Sequence, residues 1–389
     1  MTHIEYNTTL INHRTNVVAE LQALRRQIAE WKELDKQLKQ RAHQIDPHDR
    51  HFAQKAGQIA EMRKRIRFMI VDAPLEIDGD ALIEQGYEKI QAHLGQQFAG
   101  LTKEDRKLWL KYLMFIMTPD LRRLKDKIEK IRAWSMNLGQ QRNLLLGGES
   151  GMGKSTLGNW YSYKNLQSVE REYNLVPIVK VDAPTNNNTP KPLLQRIVAE
   201  CGYTYTKSDT EEDLLAKIQL YFQTCGVEVL IIDEIEHIHR DKLKRSVLEI
   251  SNIAGGIPII CASCHPENFI GSDVEIKGRW NDSFTLTPYT DKKLQQLLAH
   301  IELVLPFSQP SNLSIYEFEE RKGKKTKTLD GPAKFIERKT NGILRDIMIL
   351  IIDACEQAID AGEPNLSMSR LETAWNNIQT GPPGAGKAG

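Results

Sequence analysis

From position 17 to 44 the residues Val17, Leu21, Leu24, Ile28, Trp31, Leu34 and Leu38 recur every three or four places with no Pro or Gly between them. That is the period of one apolar helix face, and it predicts a single long helix of roughly 40 Å. A polar break at Asp46, Pro47, His48 and Asp49 precedes a second stripe, Phe52, Ala56, Ile59, Met62, Ile66 and Met69. The two stripes together predict an antiparallel helical hairpin. Further helices are expected over 80–98 and 103–116. Thr118 and Pro119 then supply an N-cap and a first-turn proline for a helix whose apolar face is Leu121, Leu124, Ile128 and Ile131.

The pattern changes at Asn143. Short apolar runs at 143–146, 176–181, 227–232, 257–262 and 283–286 alternate with helical stretches. This alternation predicts an α/β fold with a mostly parallel sheet covered on both faces. After Thr287 and Pro288 the chain reads as helical again, except for a polar, lysine-rich stretch at 308–331 expected to be a loop insertion. The expected divisions are a helical extension at 1–117, a core at 118–287, a helical lid with the basic insertion at 288–379 and a disordered tail at 380–389. No internal repeat is present.

At 389 residues, with 40% hydrophobic and 26% charged positions, the composition is that of a globular chain, and no apolar run reaches the length of a bilayer span. The N-terminus lacks the basic, apolar and small-residue succession of a signal peptide, so a prokaryotic cytoplasmic location is expected. Five cysteines do not make a disulfide framework. The formal charge of +1 argues against nucleic-acid binding by bulk charge alone. The charge is unevenly spread, because residues 1–147 hold 25 Lys and Arg against 19 Asp and Glu and carry +6, leaving −5 on the remainder.

The strongest chemical signal is Gly148, Glu149, Ser150, Gly151, Met152, Gly153, Lys154 and Ser155, followed by Thr156. This is a complete G-x-x-x-x-G-K-[ST] placed between a strand and a helix. Its glycines let backbone N–H groups close around phosphates, Lys154 neutralises phosphate oxygens, and Ser155 is placed to ligate Mg²⁺ at a helix N-terminus. The apolar run 229–232 ends in Asp233 and Glu234, the form of a buried strand delivering carboxylates to that nucleotide. Asp233 is expected to hold the magnesium shell and Glu234 to polarise the attacking water. The expected cofactors are therefore ATP and Mg²⁺, and the expected activity is hydrolysis of ATP to ADP and phosphate. A second G-x-x-x-x-G-K in the tail, at 381–387, lacks the following Ser or Thr and any flanking strand. It is not a nucleotide motif.

Three later features keep the same order. The run 257–262 leads to Ser263, whose hydroxyl is a candidate γ-phosphate contact; Gly278, Arg279 and Trp280 precede the last strand; and Asn341 to Arg345 opens a helix. This order resembles the AAA+ ATPases, and within them the transposition regulators TniB and TnsC of Tn7-like and CRISPR-associated transposons. The resemblance rests on RAWSMNLGQQRNLLLGGESGMGKS, CGVEVLIIDEIEHI, GRWNDSFTLTPY and KTNGILRDIMILIIDACEQAIDAG, and spans 119 to about 379.

What the resemblance implies is a five-stranded core in the order 5-1-4-3-2 with a helical lid. It also implies rings or filaments of this chain around duplex DNA, a transposase of the TnsB/TniA type and a target selector of the TniQ type as partners, and hydrolysis that drives disassembly. Ser263 takes the sensor 1 place, Arg279 that of an arginine finger acting in trans, and Arg345 that of a sensor 2 arginine. Two positions depart from the family pattern: Trp280 stands where Phe is usual, and Ser263 with Cys264 stands where Gly-Thr is usual.

DNA contacts are expected from 184–191, with Asn187, Thr189 and Lys191, and from the turn at Thr206 and Lys207, whose donors suit phosphates without reading sequence. Basic clusters lie at 63–67, 122–130 and 321–327. Cys261, Cys264 and His265 spell the covalent haem signature, but the strand before it makes that reading improbable. Two other functions stay open. A helicase loader or replication initiator shares the motif order, and a neighbouring integrase-type gene separates the two. A nucleotide-gated interaction module with little turnover is separated by measuring hydrolysis with and without duplex DNA.

Overall fold

The computed structural model describes residues 17–44, 95–112, 118–165, 168–169, 174–185, 189–238, 241–271, 273–322 and 325–380. The second half of the expected hairpin (52–69), most of the helix expected at 80–98, Asn187, the basic cluster at 63–67 and the tail lie outside them. The chain forms two compact units, one around Asp120–Thr287 and the other around Pro288–Gly389 with Phe68–Pro119. The first predicted stripe is a helix over Val17–Gln44 (α1), with Val17, Leu21 and Leu38 buried.

The unit around Asp120–Thr287 is an α/β layer structure. Its helix α3 (Pro119–Leu138), which follows α2 (Lys103–Tyr112), buries Leu121, Leu124, Ile128 and Ile131, the four positions of the predicted stripe. Five parallel strands follow: β1 (Leu144–Gly148), β2 (Ile178–Asp182), β3 (Val229–Asp233), β4 (Ile259–Ala262) and β5 (Asp282–Leu286). Their spatial order is β2-β3-β4-β1-β5, which read from the other edge is the expected 5-1-4-3-2.

Three strands begin two residues later than the apolar runs suggested. Val176, Val227 and Ile257 are apolar, but the N–H groups of Val227 and Ile257 bond to the carbonyls of Phe222 and Ala254 in turns, and that of Val176 bonds to the Cys225 carbonyl in a distant loop, rather than to a neighbouring strand. Burial extended the apolar run beyond the ladder. A two-residue antiparallel ribbon, Ser168–Val169 with Asn174–Leu175, was not expected.

One face of the sheet, with Leu145, Val179, Val181, Leu230, Ile232, Ile259 and Cys261, packs into an apolar core with α5 (Lys191–Glu200), α6 (Glu211–Thr224) and α7 (Asp241–Ile253). Helix α6 starts at a capping box, in which the Thr210 hydroxyl accepts from Asp213 N–H and the Asp213 carboxylate accepts from Thr210 N–H. The opposite face carries Lys180 and Ile231 under Gly158 of α4 (Lys154–Lys164), where a Cβ would stand 3.3 Å from Lys180 Cε. Arg132 of α3 fixes α4 on that side, donating to Glu228, to Asn165 Oδ1 (2.8 Å) and to Tyr161 Oη (3.3 Å).

Short helices α8 (Pro266–Ile270) and α9 (Val274–Arg279) precede β5. Between them, Phe269 and the buried Trp280 meet edge to face at 5.3 Å.

The other unit holds α2 and, after α10 (Asp291–Val304), an antiparallel pair β6 (Glu317–Lys322) and β7 (Lys325–Asp330), then α11 (Pro332–Thr340), α12 (Leu344–Ala361) and α13 (Met368–Thr380). The lysine-rich stretch is therefore a strand pair where a loop was expected. Its register sets Phe318 opposite Leu329 and Glu320 opposite Lys327. The same register sets Glu317 opposite Asp330 and Lys322 opposite Lys325, so the ribbon is held by its backbone ladder rather than by complementary charge.

Within this unit Trp109 Nε1 donates to Val304 O (2.8 Å) and Tyr289 Oη to Thr118 Oγ1 (2.6 Å). The buried Glu302 carboxylate accepts from the N–H groups of Ser311, Asn312 and Leu313. Among the described residues no helix is long and apolar enough to cross a membrane.

Candidate functional site

Strand β1 runs into the glycine loop and the loop into α4, so the strand-loop-helix context read from the sequence is present. Gly148, Gly151 and Gly153 have φ of 136°, 83° and 94°. At Gly148 the glycine is compulsory, because a Cβ would lie 2.6 Å from the Leu286 carbonyl oxygen. Gly153 caps α4 with no side-chain hydrogen bond, which leaves the first-turn N–H groups of the helix to an external acceptor. Met152 is buried beneath the loop, while Glu149, Ser150, Ser155 and Thr156 are exposed along it.

Lys154 is nearly buried and turned inward. Its ammonium donates to the carbonyls of Gly148 (2.5 Å) and Glu149 (2.9 Å) and lies 3.5 Å from Cys264 Sγ. A cation held only by neutral acceptors, beside an uncapped helix N-terminus and two exposed hydroxyls, fits the phosphates of a nucleotide with a divalent cation.

Asp233 ends β3 and is buried; its Oδ1 accepts from Glu234 N–H (3.0 Å), and its Oδ2 lies 3.5 Å from Lys180 Nζ. Glu234 has a left-handed backbone, φ 55°, unusual for a residue with a side chain and frequent at functional sites. The turn lifts its half-exposed carboxylate off the strand end, 3.7 Å from His237 Nε2. Lys154, after β1, and Asp233 and Glu234, after β3, thus stand at the same carboxyl edge of the parallel sheet with β4 between the two strands, where open α/β sheets place their ligands.

Ser263 has its hydroxyl engaged. It is buried, and Oγ accepts from His265 N–H at 2.9 Å. The group beside Lys154 is Cys264, whose thiol burial pushes above its ordinary range and which also meets the Glu236 carboxylate. Cys261 lies fully buried inside β4, its thiol pushed far up by burial, which is incompatible with haem attachment. No group of His, Cys, Asp and Glu suited to a metal ion on its own occurs among the described residues.

Arg279 is exposed at the end of α9 and donates to Asn252 Oδ1 (2.6 Å). Arg345, in the other unit, is exposed in the first turn of α12 and pairs with Asp346 (3.1 Å). The expected DNA segments meet, since Lys191 Nζ donates to Lys207 O (2.8 Å). Thr189 and Lys207 are exposed, but the Thr206 hydroxyl is spent on Asp209 Oδ1 (2.7 Å). Lys180 and Glu236 were missed as site residues, and whether Ser263 or Cys264 takes the sensor 1 place was left open by the sequence. For Lys180 the only available signal was a lysine inside an apolar strand.

Comparison with solved structures finds the Aeropyrum pernix ORC2 protein in ADPNP and ADP complexes, 14% identical, covering 68% of this chain and 70% of that one, with a TM-score of 0.46. The Aeropyrum pernix ORC1 protein in complex with DNA is 13% identical over 65% of this chain and 64% of that one, TM-score 0.44. The Thermotoga maritima RuvB Holliday junction branch migration motor is 15% identical over 66% and 68%, TM-score 0.41. No curated protein matches the sequence. The family model described as bacterial TniB protein matches residues 106–283, a span that contains the glycine loop, Asp233, Glu234, Cys264 and Arg279. Over residues 106–283, somewhat less than half of its length, the chain is similar to the TniB family.

Proposed function

We propose that the protein is an ATP-hydrolysing regulator of DNA transposition, which assembles with ATP on duplex DNA, joins a target selector to a transposase and leaves the DNA on hydrolysis. The observation that carries the reading is the placing of Lys154 and the Asp233–Glu234 pair at one sheet edge inside the segment that matches TniB. The divisions that go with it are a helical extension at 1–117, an ATPase core at 118–287 and a lid at 288–379.

Bound magnesium would supply charge neutralisation on the terminal phosphates. Ser155 and Asp233 are the residues to hold it. Lys154 exchanges its two carbonyl partners for phosphate oxygens, and the N–H groups of the glycine loop take the remainder. Glu234 orients a water and accepts its proton on the carboxylate. Cys264, whose thiol lies beside Lys154, stands with Ser263 as a polar group next to the phosphates, the Ser263 oxygen accepting from His265 N–H while its O–H is left to donate. The exposed Arg279 is free to leave Asn252 for the site of a neighbouring copy, and Arg345 takes the sensor 2 role that the family resemblance carries. Thr189, Lys191 and Lys207 track the DNA backbone. The partners carried by the family resemblance are a TnsB/TniA-type transposase and a TniQ-type selector.

Electron micrographs of the full chain with duplex DNA and a non-hydrolysable ATP analogue test this reading. Rings or filaments on the DNA are expected, and dispersed protomers with the analogue bound would overturn the assembly reading in favour of an interaction module.

A further inference from the structure

Strands β2 and β3 pair in parallel with Asp182 opposite Asp233 and Lys180 opposite Ile231. Side chains two apart on a strand share a face, so Lys180, Asp182 and Asp233 all stand on the side covered by α4. Lys180 is 11% exposed, and its stem lies against Gly158, one turn beyond Ser155. Its ammonium has two carboxylate neighbours: Asp182 at 2.7 Å, which is 58% exposed, and Asp233 at 3.5 Å, which is 5% exposed. The other oxygen of Asp233 is taken by Glu234 N–H. The carboxylate expected to serve the metal is therefore held by a backbone donor on one oxygen and faced by a fixed positive charge on the other.

If Asp233 were its sole partner, a divalent cation arriving there would take the carboxylate and leave the buried Lys180 ammonium facing a second positive charge with no counter-ion. Here it has a second acceptor nearer the surface, reached without leaving the strand face. We propose that Lys180 is a positioning residue for the metal site: bridging Asp182 and Asp233, it balances Asp233 while no cation is bound and withdraws onto Asp182 alone when one is, so that magnesium enters only with the added charge of the nucleotide. The proposal rests on the nucleotide-binding reading above.

The test is the affinity of the full-length chain for a fluorescent ATP analogue as a function of Mg²⁺, with Mn²⁺ binding by electron paramagnetic resonance as a readout independent of turnover. Lys180→Met removes the competing cation and should lower the Mg²⁺ midpoint by about fivefold, the lower range of coupling between bound ligands. Asp182→Asn, which keeps the lysine but removes its second acceptor, should raise the midpoint. The Lys180→Met shift should persist at about 0.5 M salt, because the Lys180–Asp233 contact is nearly dry, whereas a field acting through solvent is screened there. Thermal melting of each variant checks folding, and Asp182→Asn, at a half-exposed position, serves if Lys180→Met does not fold. Unmoved midpoints in wild-type-like folded variants, or a Lys180→Met shift abolished by salt, would overturn the proposal while leaving nucleotide binding intact. Failure of the wild type to bind the analogue would overturn the nucleotide reading itself and this proposal with it.

Discussion

The ammonium of Lys154 lies 3.5 Å from the thiol of Cys264, while the other four cysteines are buried. Alkylation of the folded chain with a maleimide should therefore stop near one label, at Cys264, and a nucleotide should slow it. Burial raises the Cys264 pKa, so its thiolate is scarce at neutral pH and the rate should climb as pH rises toward that raised value. Mass spectrometry of the labelled peptides checks this. Labelling of Cys201 or Cys355 ahead of Cys264 would contradict the burial described.

Glu234 holds its carboxylate off the strand end through a left-handed backbone, and Gln can adopt the same turn. Glu234→Gln should bind ATP as the wild type does, and hydrolysis should fall by about 10² to 10⁴, the range for loss of a general base. Single-turnover phosphate release measures it, and unchanged turnover would remove Glu234 from the mechanism.

Arg279 is exposed and has a polar partner, Asn252, that it can exchange. Arg279→Ala should lose about 10³ or more in turnover, as arginine fingers do. Mixed with Glu234→Gln it should regain part of the rate, because a composite site then carries one intact set of residues. Flat activity at every mixing ratio counts against action in trans.

Two substitutions away from the nucleotide separate packing from chemistry. Trp280 is buried edge-on against Phe269, and Trp280→Ala should destabilise by about 3–5 kcal/mol. Thr210→Ala, which breaks the capping box of α6, should cost about 1 kcal/mol. Denaturant unfolding gives both figures.

Lys191 and Lys207 come from separate segments joined by one hydrogen bond. If each meets a phosphate, replacing either by Ala should weaken duplex binding evenly across sequences. The slope of log affinity against log salt should shrink by about one per lysine. Sequence-dependent loss would point to base contacts instead.

The glycine loop and the Asp233–Glu234 strand end were legible because the residue types themselves carry the chemistry, and the strand-helix alternation placed them. Lys180 was not, since its partner Asp233 lies on another strand and only the register brings them together. That the Ser263 oxygen accepts from the His265 N–H and that the Cys264 thiol lies beside Lys154 are details of the folded backbone that no side-chain pattern encodes. The β6–β7 pair was hidden by its lysines, which read as solvated loop although the backbone ladder, and not the side-chain charge, is what pairs the two strands.

Phosphate release per protomer, followed over a range of protein concentrations with duplex DNA present, bears most directly on a site completed by a neighbouring copy. The rate per protomer should rise with concentration and be absent in Lys154→Ala. A rate that does not depend on concentration, or no phosphate release at any concentration, would contradict the account.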